Sequence, residues 1–214
     1  MTTPSPQRAS RQPSARRSRR RSAPPPSVPP RQPRLKAKIS LRSENRAWVT
    51  ALPDLRLLVP RAAKAALHAG RQRCPALDGA LGPVEIDLCL SSDEAVQQLN
   101  RDWRGKDKPT NVLSFPGLEG GIAASLPAEA PRPLGDIVLA LETCQREAVE
   151  QDKSLAHHVQ HLVVHGVLHL LGYDHESDAE AKAMEALEVS VLAGLGVPDP
   201  YGPDHDPAEE EGAR

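Results

Sequence analysis

The chain has 214 residues, with 27 Lys and Arg against 28 Asp and Glu, a net charge of −1 and 22 prolines. That length supports one domain with a proper core. No run of 18 or more apolar residues occurs, which excludes a helix crossing a membrane, and the positive N-terminus has no apolar stretch behind it, as an ordinary secretory signal would.

The near-neutral total hides an asymmetry. Residues 1–38 contain eleven of the Lys and Arg, nine of the prolines and no acidic residue. Such a segment cannot bury enough apolar surface to fold, so residues 1–37 are expected to form a disordered basic extension. An Arg-rich, acid-free start is also the composition of an organellar transit peptide. Without the extension, 16 basic residues face 28 acidic ones. Residues 199–214 read as an acidic flexible tail, and 38–198 as one domain of about 160 residues. Cys74, Cys89 and Cys144 are odd in number with no CxxC pair. They read as free thiols of a reducing compartment, with the cytoplasm as the expected location.

In chain order, Lys38 to Val49 reads as an extended edge strand with a turn near Ser43–Asn45. Leu55, Leu58, Val59, Ala62, Ala63, Ala66 and Leu67 recur at helical spacing up to Gly70, and Pro60 either kinks that helix or starts it. Val84–Leu90 is a predicted strand. Ser91 and Glu94 form a capping box that opens a helix towards Trp103. A short strand, Asn111–Phe115, precedes a Gly/Ala/Pro loop over residues 117–133. Gly135–Leu141 is a predicted buried strand that runs into a helix from Glu142 to about Lys153. A His-rich helix follows, from about Leu155 to Leu171. The last helix is capped by Ser177 and Glu180, carries Met184, Leu187, Val191 and Leu195 on one face, and stops at Gly196 and Pro198. The pattern predicts an α+β domain: one small mixed sheet packed with about five helices, the His-rich one central among them.

Residues 165–175 read His-Gly-Val-Leu-His-Leu-Leu-Gly-Tyr-Asp-His. Residues four apart on a helix share a face, so His165 and His169 sit one above the other. Gly172 stands where a helix ends in a left-handed turn, after which the chain can fold back and bring up His175. Three neutral imidazoles form a tripod for a divalent metal, with a fourth position left open. The set lacks a carboxylate, so zinc is expected, one ion per chain. The bland alternative is a core helix rich in histidine, but the glycine between the second and third histidines favours the metal. His157, His158 and His161 precede the motif. His161 shares the face of His165 and reads as a packing or outer-layer residue, because the Gly172 turn gives His175 the better approach.

The same spacing occurs in the metzincin proteases, where a glutamate general base follows the first histidine. Here that position is Gly166, which can neither take nor give a proton. This counts against peptide hydrolysis.

The second informative segment is Leu99 to Pro116, where Arg101, Arg104, Lys106 and Lys108 outnumber Asp102 and Asp107 in a loop between a helix and a strand. For charge alone, a solvated surface loop would explain it. Together, however, the histidine motif, the run Arg-Gly-Lys-Asp-Lys-Pro-Thr-Asn-Val-Leu-Ser-Phe-Pro and the Leu-Gly-Asp-Ile segment at 134–137 resemble the bacterial YbeY family of endoribonucleases and rRNA maturation factors. The resemblance covers about residues 38–196. It implies a zinc-dependent hydrolase fold acting on single-stranded RNA, in processing of the 3′ end of small-subunit 16S rRNA and in ribosome quality control. The implied partners are rRNA and the small ribosomal subunit with its proteins. Carried over by motif, His165, His169 and His175 are the zinc ligands and Arg104 is the basic residue linked to activity. The basic extension lies outside the family pattern.

The residues themselves also define a chemistry. A three-histidine zinc lowers the pKa of its water towards ~7 and polarises a phosphoryl oxygen. A guanidinium such as Arg104 suits charge on non-bridging phosphate oxygens, which it binds in a fork. Asp174, beside a ligand, is a candidate base; alternatively it orients an imidazole. Only five aromatics occur, and Trp103, Phe115 and Tyr173 lie in or beside the two motifs. Backbone and shape recognition with weak sequence preference is therefore expected. The alternatives from other classes are a metzincin-like metalloprotease and a non-catalytic zinc-containing ribosome assembly factor.

Overall fold

The computed structural model describes residues 35–118 and 121–202. The basic extension, apart from residues 35–37, and the tail beyond residue 202 therefore lie outside the described residues. Among these residues, four strands form one sheet: β1 (Ala37–Ser43), β2 (Val84–Ser91), β3 (Val112–Pro116) and β4 (Arg132–Ala140), in the order β1-β2-β4-β3. β1 runs parallel to β2 and β2 parallel to β4, while β3 pairs antiparallel with β4 and ends the sheet among the described residues. Among the described residues, seven α-helices pack around the sheet: α1 (Ala47–Ala51), α2 (Leu55–Gly70), α3 (Asp93–Arg104), α4 (Ile122–Ser125), α5 (Leu141–Glu150), α6 (Leu155–Leu170) and α7 (Asp178–Leu195). Two of these, α1 and α4, are single turns that the expected set of about five did not include.

The mixed sheet matches the sequence reading, but the connectivity makes the domain α/β rather than α+β. Parallel neighbours need a crossover. Here α1 and α2 carry the chain from β1 to β2, and the segment containing α3 and β3 carries it from β2 to β4. Helices α2 and α6 pack together on one face of the sheet, with α7 against both, and α3 lies on the other. The main core joins Val84, Ile86 and Leu88 of β2 and Ile137 and Leu139 of β4 to Leu55, Val59 and Ala63 of α2 and Val163, Val167 and Leu168 of α6. A smaller cluster under α3 holds Cys89, Val96, Leu113, Val138 and Ala140. All three cysteines are free and buried.

Several boundaries differ from expectation, each for a local reason. The strand expected to reach Val49 stops at Ser43, because residues 47–51 turn into α1 and bury Trp48 completely. The Trp48 indole N–H donates to the Ser91 carbonyl at 2.7 Å, which ties the turn to the end of β2. Pro60 lies inside α2, which begins at Leu55. An internal proline costs about 3 kcal/mol, whereas burying a Leu or Val side chain contributes about 1.5–3 kcal/mol. With Leu55, Val59 and Leu67 all enclosed, packing outweighs the proline. The cap of α3 is Ser92, not Ser91: its hydroxyl accepts from Ala95 N–H, while Ser91 still belongs to β2 and donates to Glu44. Ser177 caps α7 through Glu180 N–H, as the sequence suggests.

Candidate metal centre and groove

Helix α6 presents the first two histidines on one face. Gly172 then takes the left-handed conformation, φ +86°, which a side chain resists, and the chain reverses to deliver His175. The result is a tripod: one ring nitrogen from each of His165, His169 and His175 lies within 4.8 Å of the others. His165 Nε2 and His169 Nε2 are 3.0 Å apart. Burial, together with His165 and His175 nearby, lowers the pKa of His169 to about 4. The ring is therefore neutral at pH 7, the form that ligates a metal.

Behind the tripod sits a residue that the sequence reading missed. Glu188 of α7 is fully enclosed (0% exposed). Its Oε1 is 2.9 Å from His165 Nδ1 and its Oε2 is 3.0 Å from His161 Nε2, with the Tyr201 hydroxyl on the same oxygen. Burial alone would raise the carboxyl pKa, but hydrogen bonds from His161 and His165 more than offset that and hold it well below the usual range. An ionised carboxylate only accepts hydrogen bonds, so both histidines must donate to it. This assigns the proton of His165 to Nδ1 and turns the bare Nε2 towards the tripod. A signal was present in the sequence: Glu188 lies four after Met184 and three before Val191, on the apolar stripe of α7, where an acidic residue needs a partner.

His161 takes the outer-layer place expected of it, four residues from His165 and on Glu188 rather than in the tripod. Tyr201, assigned to a flexible tail from sequence, instead packs edge-on against His161 at 5.4 Å between ring centroids. Asp174 uses Oδ1 to accept the backbone N–H of His175 at 2.8 Å, so it braces the turn that carries the third histidine. Arg73 braces the same turn from outside. Its Nε donates to the Gly172 carbonyl at 3.1 Å, its guanidinium lies 5.0 Å from the centre of the Tyr173 ring, and it pairs with Glu180 at 3.4 Å.

Gly166 faces the sheet. A Cβ there would stand 3.0 Å from Ser114 Oγ and 3.1 Å from two Ile137 carbon atoms. The position held by a glutamate base in metzincins is thus packed against β3 and β4.

A groove runs past the tripod and is lined by Arg104, Lys106, Lys108, Ser114, His165 and Tyr201, among others. Arg104 ends α3 and is exposed; among the described residues it makes no ion pair. Arg101 differs. It pairs with Asp102 and Asp107 and does not line the groove. The loop itself is fixed by Asn100, whose side chain donates to the Lys108 carbonyl at 2.8 Å. Deeper in, Glu147 accepts from His158 at 2.8 Å and from Asn111 at 3.0 Å.

Fold and site together define an α/β domain that holds a metal-competent histidine tripod in a groove rimmed by cations. The family model for endoribonuclease YbeY matches residues 59–196. The chain belongs to that family. An endoribonuclease YbeY of Paramagnetospirillum magneticum is 54% identical over 156 residues, covering 73% of this chain and 90% of the relative. One from Azorhizobium caulinodans is 49% identical over 165 residues, covering 77% and 96%. A solution structure of a Thermotoga maritima protein covers 78% of this chain and 97% of its own at 22% identity, with a TM-score of 0.47.

Proposed function

We propose that the chain is a single-strand-specific, zinc-dependent endoribonuclease that acts in maturation of the 16S rRNA 3′ end and in ribosome quality control, in the cytoplasm. The convergence of His165, His169 and His175 beside a cation-rimmed groove carries the reading, in a chain whose named relatives are endoribonucleases. The three imidazoles would hold the ion. The donor set fits zinc, since all three ligands are nitrogen and Glu188 fixes the tautomer of one of them.

Zinc bound there supplies a Lewis acid for a phosphoryl oxygen and acidifies water. The chain's own residues do the rest. Arg104, exposed and without an ion pair among the described residues, is free to grip two phosphate oxygens and to stabilise charge that grows on them. Lys106 and Lys108 extend the positive rim along the strand. Asp174 holds the His175 turn through the backbone, which suits a bracing role better than that of a base. The partners are single-stranded rRNA and the small ribosomal subunit with its proteins.

A metalloprotease needs a base where Gly166 lies packed against the sheet, so the ribonuclease is the better fit. The test is incubation of zinc-loaded protein with single-stranded and duplex RNA, with His169→Ala and a casein digest as controls. Cleavage of the single strand alone, lost in the variant, is the expected result. Casein cleavage, or equal cutting of duplex RNA, would overturn it.

A further inference from the structure

The groove does not end at the histidines. It continues past β3, the last strand of the described sheet, to the C-terminal end of α3, where Trp103 stands 73% exposed. We propose that Trp103 is a stacking platform for one unpaired nucleobase of the strand that occupies this groove. The inference rests on the ribonuclease reading above and says how that site selects single strands.

Among the described residues, six large hydrophobic side chains are exposed: Val49, Leu57, Leu81, Trp103, Ile122 and Val149. Trp103 alone of these lines the groove. Its ring is also braced, meeting Phe115 edge-on with centroids 5.9 Å apart and planes at 67°. That contact occupies one side of the indole environment and leaves most of the ring open to solvent. Arg104, Lys106 and Lys108 line the same groove and make no ion pair among the described residues. Gly105, at φ +69°, ends α3 directly after Arg104 and turns the chain so that these cations follow the indole.

A flat aromatic beside a row of unpaired cations is the complement of a base attached to its phosphates. Every base has a π-face, so one platform gives little sequence preference. A base inside a duplex already has both faces stacked and cannot offer one, so the platform discriminates by strandedness.

The chain has two tryptophans. Trp48 is wholly enclosed, so iodide-quenchable emission reports Trp103. The full-length protein is mixed with single-stranded oligoadenylate, a duplex of equal length, or an abasic ribose-phosphate strand, and read before cleavage accumulates. Oligoadenylate should shield Trp103 from iodide, and the other two should not. Trp103→Ala should weaken oligoadenylate binding about tenfold or more, leave abasic-strand binding unchanged, and keep the melting temperature. Trp103→Phe should recover most of the affinity. Equal affinity of Trp103→Ala and the parent, or equal shielding by the abasic strand, overturns the platform. So does a Trp103→Ala variant that keeps RNA affinity but loses binding to purified small ribosomal subunits, which would assign the indole to a protein contact. If the parent binds no RNA, the ribonuclease reading falls as well; if it binds RNA independently of Trp103, only the platform falls.

Discussion

Glu188 and His165 meet at 2.9 Å through Oε1 and Nδ1, although 23 residues separate them in sequence. An ionised carboxylate in a fully enclosed position costs several kcal/mol in lost hydration, so its hydrogen bonds to His165, His161 and Tyr201 are a condition of its burial. Glu188→Gln keeps the shape but replaces one acceptor oxygen with a donor amide, so only one histidine can keep its present tautomer. Zinc affinity, read by competition with a chelator, should fall by about 10–100-fold. Affinity equal to that of the parent would show that the carboxylate does not orient the tripod.

The tripod itself is tested by stoichiometry. Purified protein should carry one zinc per chain. His169→Ala should lose it, because two imidazoles do not close the site, whereas His161→Phe should keep it, since His161 sits on Glu188 outside the tripod. Elemental analysis with the reverse pattern would overturn the ligand assignment.

Arg104→Ala should keep fold and zinc while RNA cleavage falls by ~10²-fold or more, the usual cost of losing a charge-stabilising donor. Arg104→Lys should recover part of the rate, because an ammonium cannot bind two oxygens in a fixed fork. Arg101→Ala should have little effect, since Arg101 is engaged with Asp102 and Asp107 away from the groove. Equal losses in the two alanine variants would reduce the loop to a diffuse basic patch.

Gly166→Glu should not yield a protease. The new side chain would have to enter the contact with Ser114 and Ile137, where a Cβ already stands at 3.0–3.1 Å. Overpacking costs about 1–3 kcal/mol, and a buried carboxylate without a partner adds several more. Thermal unfolding should move down sharply. A melting temperature equal to the parent's would mean that α6 can move off the sheet.

Stability of the metal-free protein should depend on pH through His169. Its pKa is about 4 in the folded state against 6.5 for a free histidine, so between those values the unfolded chain binds more protons. Stability from this group is fully present above pH 6.5 and is lost as pH falls towards 4. Chelator-treated protein should melt progressively lower as pH falls from 6.5 towards 4. A flat melting temperature across that window would contradict the neutral, buried ring.

Much of this was legible in the sequence where one period dominates. The apolar stripes of α2, α6 and α7 and the His-x3-His step needed only helical spacing, and Gly172 marked the turn. Which strands pair in parallel was not legible, because β1, alternately half-buried and exposed, does not announce its neighbour. Ser91 and Ser92 compete for the same cap, and the choice depends on where β2 stops pairing with β4, a tertiary fact. Trp48 looks like a strand residue until the Ser91 carbonyl is seen to take its N–H. Glu188 was visible as an acid on an apolar stripe, but its partners lie on another helix.

The two ends of the tripod depend on different amounts of finished structure. His165 and His169 are placed by one helix alone, and a local helix forms early and without help from distant segments. His175 hangs from a turn whose carbonyl at Gly172 is held by Arg73, 99 residues earlier in the chain. Contacts of that sequence separation form more slowly than local ones. An incompletely folded chain therefore offers a metal two weak ligands rather than three. A metal held by all three imidazoles would therefore be gripped tightly only once the first and last thirds of the domain have docked.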